Sequence, residues 1–493
     1  MTRRGVLQFT GLSLAAAALA GVVLGHGTRS RLREIGVENP RSHLRVKSPH
    51  TDHKGLLAGP FADGPSVTAA CLKCHPESAR EVMATSHWTW LGQEVTVPGH
   101  ATPTRIGKAN LINNFCIGVG PNLAHCTACH AGYGWVDQTF DFEKQENVDC
   151  LVCHDTTGAY RKDNEHGGVV APGVDLVTVA QGVGLPTRRN CGSCHFAGGG
   201  GDAVKHGDLD GTMFLPGERI DVHMGLHQFD CQECHRTEHH RIPGRSMSVS
   251  VDNTQRVACT DCHAERPHRN ERLDAHTRAV ACQTCHIPRM AVEAPTKMSW
   301  DWSTAGRDPG PSDDPNLYSK KRGTFVLAKD VIPEYGWYNG HAERYLLGDT
   351  IDTSTVSPIN RPLGDARDPR ARIWPFKVHR AKQPYDLEHR TLLVPRTSGH
   401  GGYWTTFDWP SALRLGSADT GVPFSGNFGF AETEMYWPLS HMVATKDKAL
   451  QCTDCHGDRG RLNWSALGYP GDPAILGGRT PMLSTGDGRG ARP

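Results

Sequence analysis

The sequence predicts a mainly α fold with extensive irregular loops, organised around bound cofactors rather than around a large side-chain core. The pattern C-x-x-C-H occurs eight times in the 493 residues. Hydrophobic residues make up only 38% of the chain, while Gly (55) and Pro (32) are abundant and predict many turns. The 28 histidines are a large supply of the commonest metal ligand.

The C-x-x-C-H pattern is the attachment signal of c-type haem, in which two thiols form thioethers and the histidine ligates the iron. A histidine directly follows every second cysteine, which argues against zinc sites, redox dithiols and a disulfide framework. The sequence therefore predicts a multihaem cytochrome c fold with eight covalently bound haems c. The predicted attachment residues, numbered here as motifs 1 to 8, are Cys71, Cys74, His75; Cys126, Cys129, His130; Cys150, Cys153, His154; Cys191, Cys194, His195; Cys231, Cys234, His235; Cys259, Cys262, His263; Cys282, Cys285, His286; and Cys452, Cys455, His456.

The N-terminal 25 residues have the pattern of an export segment. Arg3 and Arg4 precede an apolar run over residues 6–24, and Ala-Leu-Ala stands before Gly21. This predicts a signal peptide or a retained N-terminal membrane anchor, and a periplasmic protein that is soluble or tethered. The formal net charge of +1 gives no reason to expect a nucleic-acid partner.

Five segments are predicted along the chain. Residues 291–438 lack a haem motif and are rich in Trp, so we expect them to pack on the haem core, with a docking surface for a redox partner as the alternative. Residues 439–450 have a helix-like pattern. The predicted segments are 1–25, signal or anchor; 26–50, linker; 51–290, seven haem motifs; 291–438, the Trp-rich segment; and 439–493, the last motif and C-terminal tail.

Histidines outside the motifs are candidates for the second axial position of each iron. An iron with two histidines only passes electrons, whereas chemistry on a small molecule needs an open or displaceable position. Twenty histidines lie outside the motifs, enough for eight saturated irons. The predicted distal ligands are His53, His87, His206, His223, His240, His268, His276 and His441.

The chain resembles the octahaem tetrathionate reductase family of c-type cytochromes, which is related more distantly to hydroxylamine oxidoreductases and multihaem nitrite reductases. The resemblance runs from about His53 to His456 and is densest in GPFADGPSVTAACLKCH, SHWTW, NNFCI, CTACHAGYGW, NVDCLVCHDTTG, GGGGDAVKHGDLD, DVHMG and VACQTCHIP. It implies that the haem of motif 2 is the active one, with Lys205 as an iron ligand that either replaces or faces His130. It also gives a role to Cys116, the one cysteine outside the motifs. The implied catalytic residues are Cys116, Lys205 and His130.

The reaction implied by the resemblance is reduction of tetrathionate to thiosulfate, with the other seven haems relaying electrons from a donor cytochrome or a quinol. One alternative is nitrite or hydroxylamine chemistry at the same haem, which would also use a small substrate. A second alternative is a non-catalytic periplasmic conduit with every iron saturated. Calcium bound near Asp137, Asp141 and Asp208 is an alternative to simple solvation of these carboxylates.

Overall fold

Short helices carry the haem motifs. The computed structural model describes residues 50–115, 117–197, 201–252 and 255–477. Motifs 1, 3, 4, 5, 7 and 8 each lie in or at the end of a helix, while motifs 2 and 6 include 3-10 turns at Thr127–Cys129 and Cys259–Asp261. The helices are α1 Gly64–Cys71, α2 Ser78–Met83, α3 Ser86–Thr89, α4 Leu123–Cys126, α5 Cys150–His154, α6 Leu176–Gln181, α7 Arg188–His195, α8 Cys231–Cys234, α9 Glu271–His276, α10 Cys282–His286, α11 Tyr403–Thr406, α12 Trp409–Thr420, α13 Cys452–Cys455 and α14 Pro473–Leu476.

Side chains at the N-cap positions stabilise the first turns of these helices. Asp63 caps α1 by accepting a hydrogen bond from the backbone of Ser66, and Asp149 caps α5 by accepting one from Val152 at 2.9 Å. An N-cap carboxylate satisfies an amide that a short helix cannot pair internally. Among the described residues no helix has the length and apolar character needed to cross a membrane.

The Trp-rich segment forms an eight-stranded sheet, so a mainly α fold is not what the structure shows. Strand β9 is the longest, and it pairs antiparallel with β10 along one edge. Along its other edge, its first residues pair antiparallel with β6 and its later residues pair parallel with β3. The strand order is β4-β5-β3-β9-β10-β8-β7, and a two-stranded ribbon β1-β2 lies apart. The strands are β1 Glu94–Val95, β2 Thr104–Arg105, β3 Thr296–Asp301, β4 Tyr318–Ser319, β5 Gly323–Ala328, β6 Glu334–Tyr338, β7 Ala342–Arg344, β8 Ser357–Pro362, β9 Arg372–Asp386 and β10 Phe428–Pro438.

The sheet packs against the haem-bearing segment through buried aromatic and polar contacts. Trp300, Trp302 and Trp437 share one apolar cluster with Ile112 and Phe115 of the earlier segment. The carbonyl of Ile373 on β9 accepts hydrogen bonds from Ala281 N at 3.0 Å and Thr284 Oγ1 at 2.7 Å, beside motif 7. These contacts fix the sheet against the segment that carries the haem motifs.

Residues 439–450 do not form the helix that their pattern predicts; a single 3-10 turn occurs there, at Lys446–Lys448. The amides of Ser440 and His441 donate instead to the carboxylate of Asp208, at 2.7 and 2.9 Å. A distant carboxylate has replaced the carbonyls of a helical turn as the acceptor, and the chain bends at His441 with Met442 in the left-handed region (φ 59°).

Candidate functional site

Seven of the eight motif histidines each face one other histidine across a constant gap. The ring centroids of each pair lie between 6.1 and 6.4 Å apart. The pairs, motif histidine first, are His75 and His53, His154 and His240, His195 and His87, His235 and His441, His263 and His223, His286 and His268, and His456 and His276.

This gap fits one iron between two imidazoles. A ligating nitrogen lies about 2.0 Å from a first-row metal and about 1.1 Å from the centre of its own ring, so two opposed rings have centroids about 6.2 Å apart. Unbound imidazoles have no reason to keep that separation seven times. The seven sites therefore have the residues and the spacing that a haem with two histidine ligands requires.

One helical turn brings the attachment residues together in motifs 1, 5 and 8, whereas in motif 2 the amide of His130 donates to Thr127 O instead. The amides of His75, His235 and His456 each donate at 2.9 Å to the carbonyl of the first cysteine of their own motif. The turn places both thiols and the histidine at one end of the helix. It follows that two thioethers and an axial ligand can serve one porphyrin without rearrangement of the backbone.

The neighbouring motifs also lie close to one another through their sulfur atoms. The thiols of motifs 1 and 3, 2 and 4, 3 and 4, 4 and 5, 5 and 6, 6 and 7, and 7 and 8 act on one another electrostatically. The strongest of these interactions join Cys71 and Cys150, Cys129 and Cys194, Cys191 and Cys231, and Cys259 and Cys282. The order is therefore 1-3-4-5-6-7-8, with motif 2 joined at motif 4.

Motif 2 differs from the other seven. The Nε2 atom of His130 donates to the carbonyl of Trp88 at 2.6 Å, and the ring is fully buried among aromatic side chains. Burial lowers the pKa of His130 to about 3. The rings around it are Trp88 and Trp135, both at 4.9 Å, Phe140 at 5.5 Å, Trp90 at 5.7 Å and Phe142 at 6.1 Å. In the part of the chain that the structure describes, no second histidine faces this ring.

Lys205 lies beside motif 2. Its charge acts on the thiols of Cys129 and Cys194, and its Nζ makes no hydrogen bond or ion pair with the described residues. Burial of the amine, together with the charge of Lys108, lowers the pKa of Lys205 to about 8. A partly deprotonated amine is what an iron ligand requires. The charge of Lys205 acts on motif 4 as well as on motif 2, so its loop lies near both motifs.

The loop around Lys205 is clamped by two strands of the sheet. Lys377 on β9 donates from Nζ to Val204 O at 2.8 Å, to Lys205 O at 3.3 Å and to Thr296 Oγ1 at 2.7 Å. Thr296 on β3 donates in turn to Ala203 O at 2.6 Å. Because these groups are buried, the carbonyls of the loop have no water to replace the clamp.

Comparisons with known proteins identify the family of the chain. A family profile described as "Cytochrome c bacterial" matches residues 297–459. The solved structure of octahaem cytochrome c from Shewanella oneidensis superposes with a TM-score of 0.81 and is 48% identical, covering 86% of this chain and 98% of that one. The chain belongs to the octahaem tetrathionate reductase family of c-type cytochromes. It is a multihaem redox protein with covalently attached haem c.

A more distant relative is an uncharacterised protein of Archaeoglobus fulgidus. It is 22% identical over 230 residues, which is 36% of this chain and 76% of that protein.

The structure does not bring His206 to a motif histidine, although the sequence predicts it as a distal ligand. Its ring lies 5.0 Å from Trp437 of the sheet. Burial, reinforced by the charge of Lys205, lowers the pKa of His206 to about 3. Adjacent side chains on this loop point in different directions, and in this multihaem cytochrome His206 faces the sheet.

Two other predicted sites have a mixed outcome. Cys116 lies outside the described residues. Asn114, two positions before it in the sequence, donates to His379 O at 2.7 Å. The carboxylates considered for calcium do not form a cluster: Asp137 and Asp141 accept hydrogen bonds within their own turns, and Asp208 accepts those of residues 440 and 441. No group of three metal-binding side chains occurs in the described ranges.

Several buried polar residues of the site come from strand β9 and its neighbours and were missed in the sequence. Lys377 and His379 are fully buried on one face of β9, and Lys297 on β3 is 2% exposed, with its Nζ 3.4 Å from the Trp300 ring centre. Burial lowers the pKa of His379 well below its ordinary value, and its Nε2 has no partner in the described structure. No alternation in the sequence marks this face, because Arg380 and Lys382 at the intervening positions of β9 are polar as well.

Proposed function

We propose that this cytochrome carries eight covalent haems c and reduces tetrathionate to thiosulfate at the haem of motif 2, with the other seven haems relaying electrons. The observation that carries the proposal is the contrast between motif 2 and the rest. Seven motif histidines face a histidine, whereas His130 is turned away and Lys205 lies beside the motif. A saturated iron relays electrons, so the exceptional site is the one suited to chemistry.

Lys205 is proposed to replace His130 as the axial ligand rather than to face it. The Nε2 of His130, the atom that ligates iron in this motif, is used by the carbonyl of Trp88. Aromatic rings surround the imidazole, so turning it round would disrupt that packing. Haem bound at Cys126 and Cys129 would supply the redox-active iron and one exchangeable coordination position.

The lysines near motif 2 favour an anionic substrate. Lys108, Lys162 and Lys205 all act on the thiol of Cys129. Lys162 is ion-paired with Asp149 at 3.0 Å and Lys205 is proposed as a neutral iron ligand, so Lys108 and the iron of the bound haem would supply the positive charge that attracts a dianion and stabilises the charge that develops when its sulfur–sulfur bond breaks. Reduction of tetrathionate adds two electrons, breaks the central bond and yields two thiosulfates without a proton. Nitrite is also an anion, so charge alone does not separate the two substrates.

The order of the sulfur contacts gives the proposed relay. Electrons that enter at either end of the series 1-3-4-5-6-7-8 reach motif 2 through the contact of Cys194 with Cys129. This supports a role for seven haems in delivery. We further propose a periplasmic location, with a cytochrome or a quinol as the donor; the predicted signal or anchor over residues 1–25 lies outside the described residues.

The function is tested by turnover of the haem-loaded protein with tetrathionate, nitrite and hydroxylamine at equal haem content. We expect tetrathionate to give the highest kcat/KM, and Lys205→Ala to reduce it by about tenfold or more. Lys144→Ala, which changes an exposed lysine between motifs 2 and 3, is the matched control. A higher kcat/KM for nitrite or hydroxylamine would move the assignment to nitrogen chemistry. Absence of turnover with all three would favour an electron conduit.

A further inference from the structure

Lys162 binds the backbone at the point where the chain leaves motif 2. Its Nζ donates to His130 O at 2.5 Å and to Gly132 O at 2.8 Å. The carbonyl between these two, that of Ala131, accepts a hydrogen bond from Asp149 N at 2.9 Å. Three successive carbonyls therefore have fixed partners, and together they hold the backbone of His130 in one orientation.

A buried carboxylate holds the ammonium of Lys162 in turn. Asp149 Oδ2 lies 3.0 Å from Nζ, and the side chains of Lys162 and Asp149 are 7% and 0% exposed. The same oxygen accepts a hydrogen bond from the hydroxyl of Tyr160 at 2.6 Å, and Oδ1 accepts one from Val152 N at 2.9 Å. Asp149 directly precedes Cys150, so the residue that caps the helix of motif 3 also fixes the cation that binds the backbone of motif 2.

The histidine of a C-x-x-C-H motif is the expected iron ligand, because the two thioethers bring it to the axial position. Something must therefore hold His130 away from the iron. Its amide donates to Thr127 O at 2.7 Å and its Nε2 donates to Trp88 O at 2.6 Å. Its carbonyl is bound by Lys162, so the amide, ring and carbonyl of this residue all have partners in the protein.

Of these three partners, Lys162 is the one whose contact is made by a side chain. The other two are backbone carbonyls of Thr127 and Trp88, which every residue type supplies. Buried carbonyls that lose a hydrogen-bond donor are costly unless the chain rearranges to find another. The segment after motif 2 would therefore shift if Lys162 were removed, and the ring of His130 would shift with it.

We propose that Lys162, anchored by Asp149, is a positioning residue that selects the axial ligand at motif 2. It holds the backbone of His130 so that the imidazole stays on Trp88 O and the iron position is left to Lys205. This inference rests on the proposed function, because it concerns how His130 is kept off the iron that Lys205 is proposed to ligate.

Lys162→Met in the haem-loaded, substrate-free protein tests this role. Methionine fills similar space but has neither the charge nor the hydrogen-bond donors of lysine. We expect low-temperature electron paramagnetic resonance and optical spectra to show loss of the lysine-ligated signal and gain of a histidine-ligated one, with unchanged haem content. Lys162→Arg keeps a cation and its donors and should retain the lysine-ligated signal. In the double variant Lys162→Met with His130→Gln, the new histidine-ligated signal should be absent.

Arg188→Met is the matched control. Arg188 also binds two carbonyls, those of Phe229 at 2.8 Å and Met224 at 3.2 Å. It also lies 3.4 Å from Asp230, the residue before the first cysteine of motif 5. We expect Arg188→Met to lower Tm, as Lys162→Met does, and to leave the lysine-ligated signal of motif 2 unchanged.

The inference is overturned if Lys162→Met keeps the lysine-ligated signal of the wild type, or if Arg188→Met loses that signal equally. It is also overturned if the new signal persists in the double variant. If Lys162→Met does not fold with its haems, Asp149→Asn decides by the same spectra, because asparagine can still cap the helix but does not pair with the ammonium. A wild type without a lysine-ligated haem would instead refute the proposed ligation by Lys205. An unchanged signal in Lys162→Met refutes only the role of Lys162.

Discussion

Lys377 Nζ donates to the carbonyl of Val204 at 2.8 Å, joining the centre of the sheet to the loop of Lys205. The lysine is fully buried, and burial lowers its pKa well below the ordinary value. It contacts Thr296 as well, so strands β3 and β9 share the task of holding the loop. Much of the proposed ligand geometry at motif 2 therefore depends on a residue nearly 250 positions away from that motif.

Replacing Lys377 with Met is expected to release this loop. The carbonyl of Val204 and the hydroxyl of Thr296 would lose a buried partner, which costs about 1–3 kcal/mol of folding free energy. The spectral signature of a lysine-ligated haem should weaken at the same time. Arg380 lies on the same strand as Lys377 and forms an exposed ion pair with Glu334 of β6. Arg380→Met removes this ion pair and should cost about 0–1 kcal/mol of folding free energy. An unchanged lysine signature in Lys377→Met would show that the clamp is not needed.

The variant His130→Gln distinguishes whether Lys205 replaces His130 as a ligand or lies opposite it. If Lys205 replaces His130, the variant keeps its haem on Cys126 and Cys129 and keeps the lysine signature, with some loss of stability because the aromatic packing around the ring is disturbed. Haem content and low-temperature electron paramagnetic resonance measure the two properties. His195→Gln, which removes a paired ligand, is the comparison and should alter one histidine-paired signal. Loss of the lysine signature in His130→Gln would place His130 on the iron.

Acidification should weaken ligation by Lys205. Burial lowers the pKa of Lys205 from 10.5 to about 8, so below that pH the free amine is protonated and cannot bind iron. Between these two values the unfolded chain holds more protons at this residue than the folded chain, and stability rises with pH across that window. We expect the lysine signature to be lost as pH falls, reversibly. A signature that is constant down to acid unfolding would contradict protonation at Lys205.

Asp208→Asn tests the carboxylate that accepts the amide hydrogen bonds of Ser440 and His441. Burial alone would raise the pKa of Asp208, but the hydrogen bond and charge of His441 outweigh it and lower the pKa below 3.8. This carboxylate therefore stabilises the fold above pH 3.8, and the contribution is lost as pH falls through the lower folded value. Asparagine should cost about 1–3 kcal/mol at neutral pH and flatten the acid dependence of Tm. Asp141→Asn, at an exposed turn, is the control.

The sequence predicted the features whose residue spacing is set by haem chemistry. It did not predict the features that depend on tertiary packing. C-x-x-C-H and the supply of histidines predicted the motif histidines and eight candidate distal ligands without pairing them, because a haem needs those residue types whatever the fold. The structure places seven of the eight candidates opposite a motif histidine. The sheet was missed because β9 is buried on both faces and interrupted by Pro375 and Pro384, which hides the two-residue period. Lys377 and His379 could be recognised as site residues only after that strand was placed.

Cys116→Ser tests whether the free thiol takes part in reduction. A Cys116 thiolate that attacks an inner sulfur of tetrathionate would release one thiosulfate and hold the other as a mixed disulfide; two electrons then free the second thiosulfate and restore the thiolate. We expect the serine variant to lose about tenfold or more in kcat/KM with tetrathionate, with the haem spectrum unchanged. Mass spectrometry of oxidised wild type mixed with tetrathionate should show one added thiosulfate group on residue 116 and none in the variant. Full turnover by Cys116→Ser would remove the thiol from the reaction and leave bond cleavage to motif 2 and its lysines.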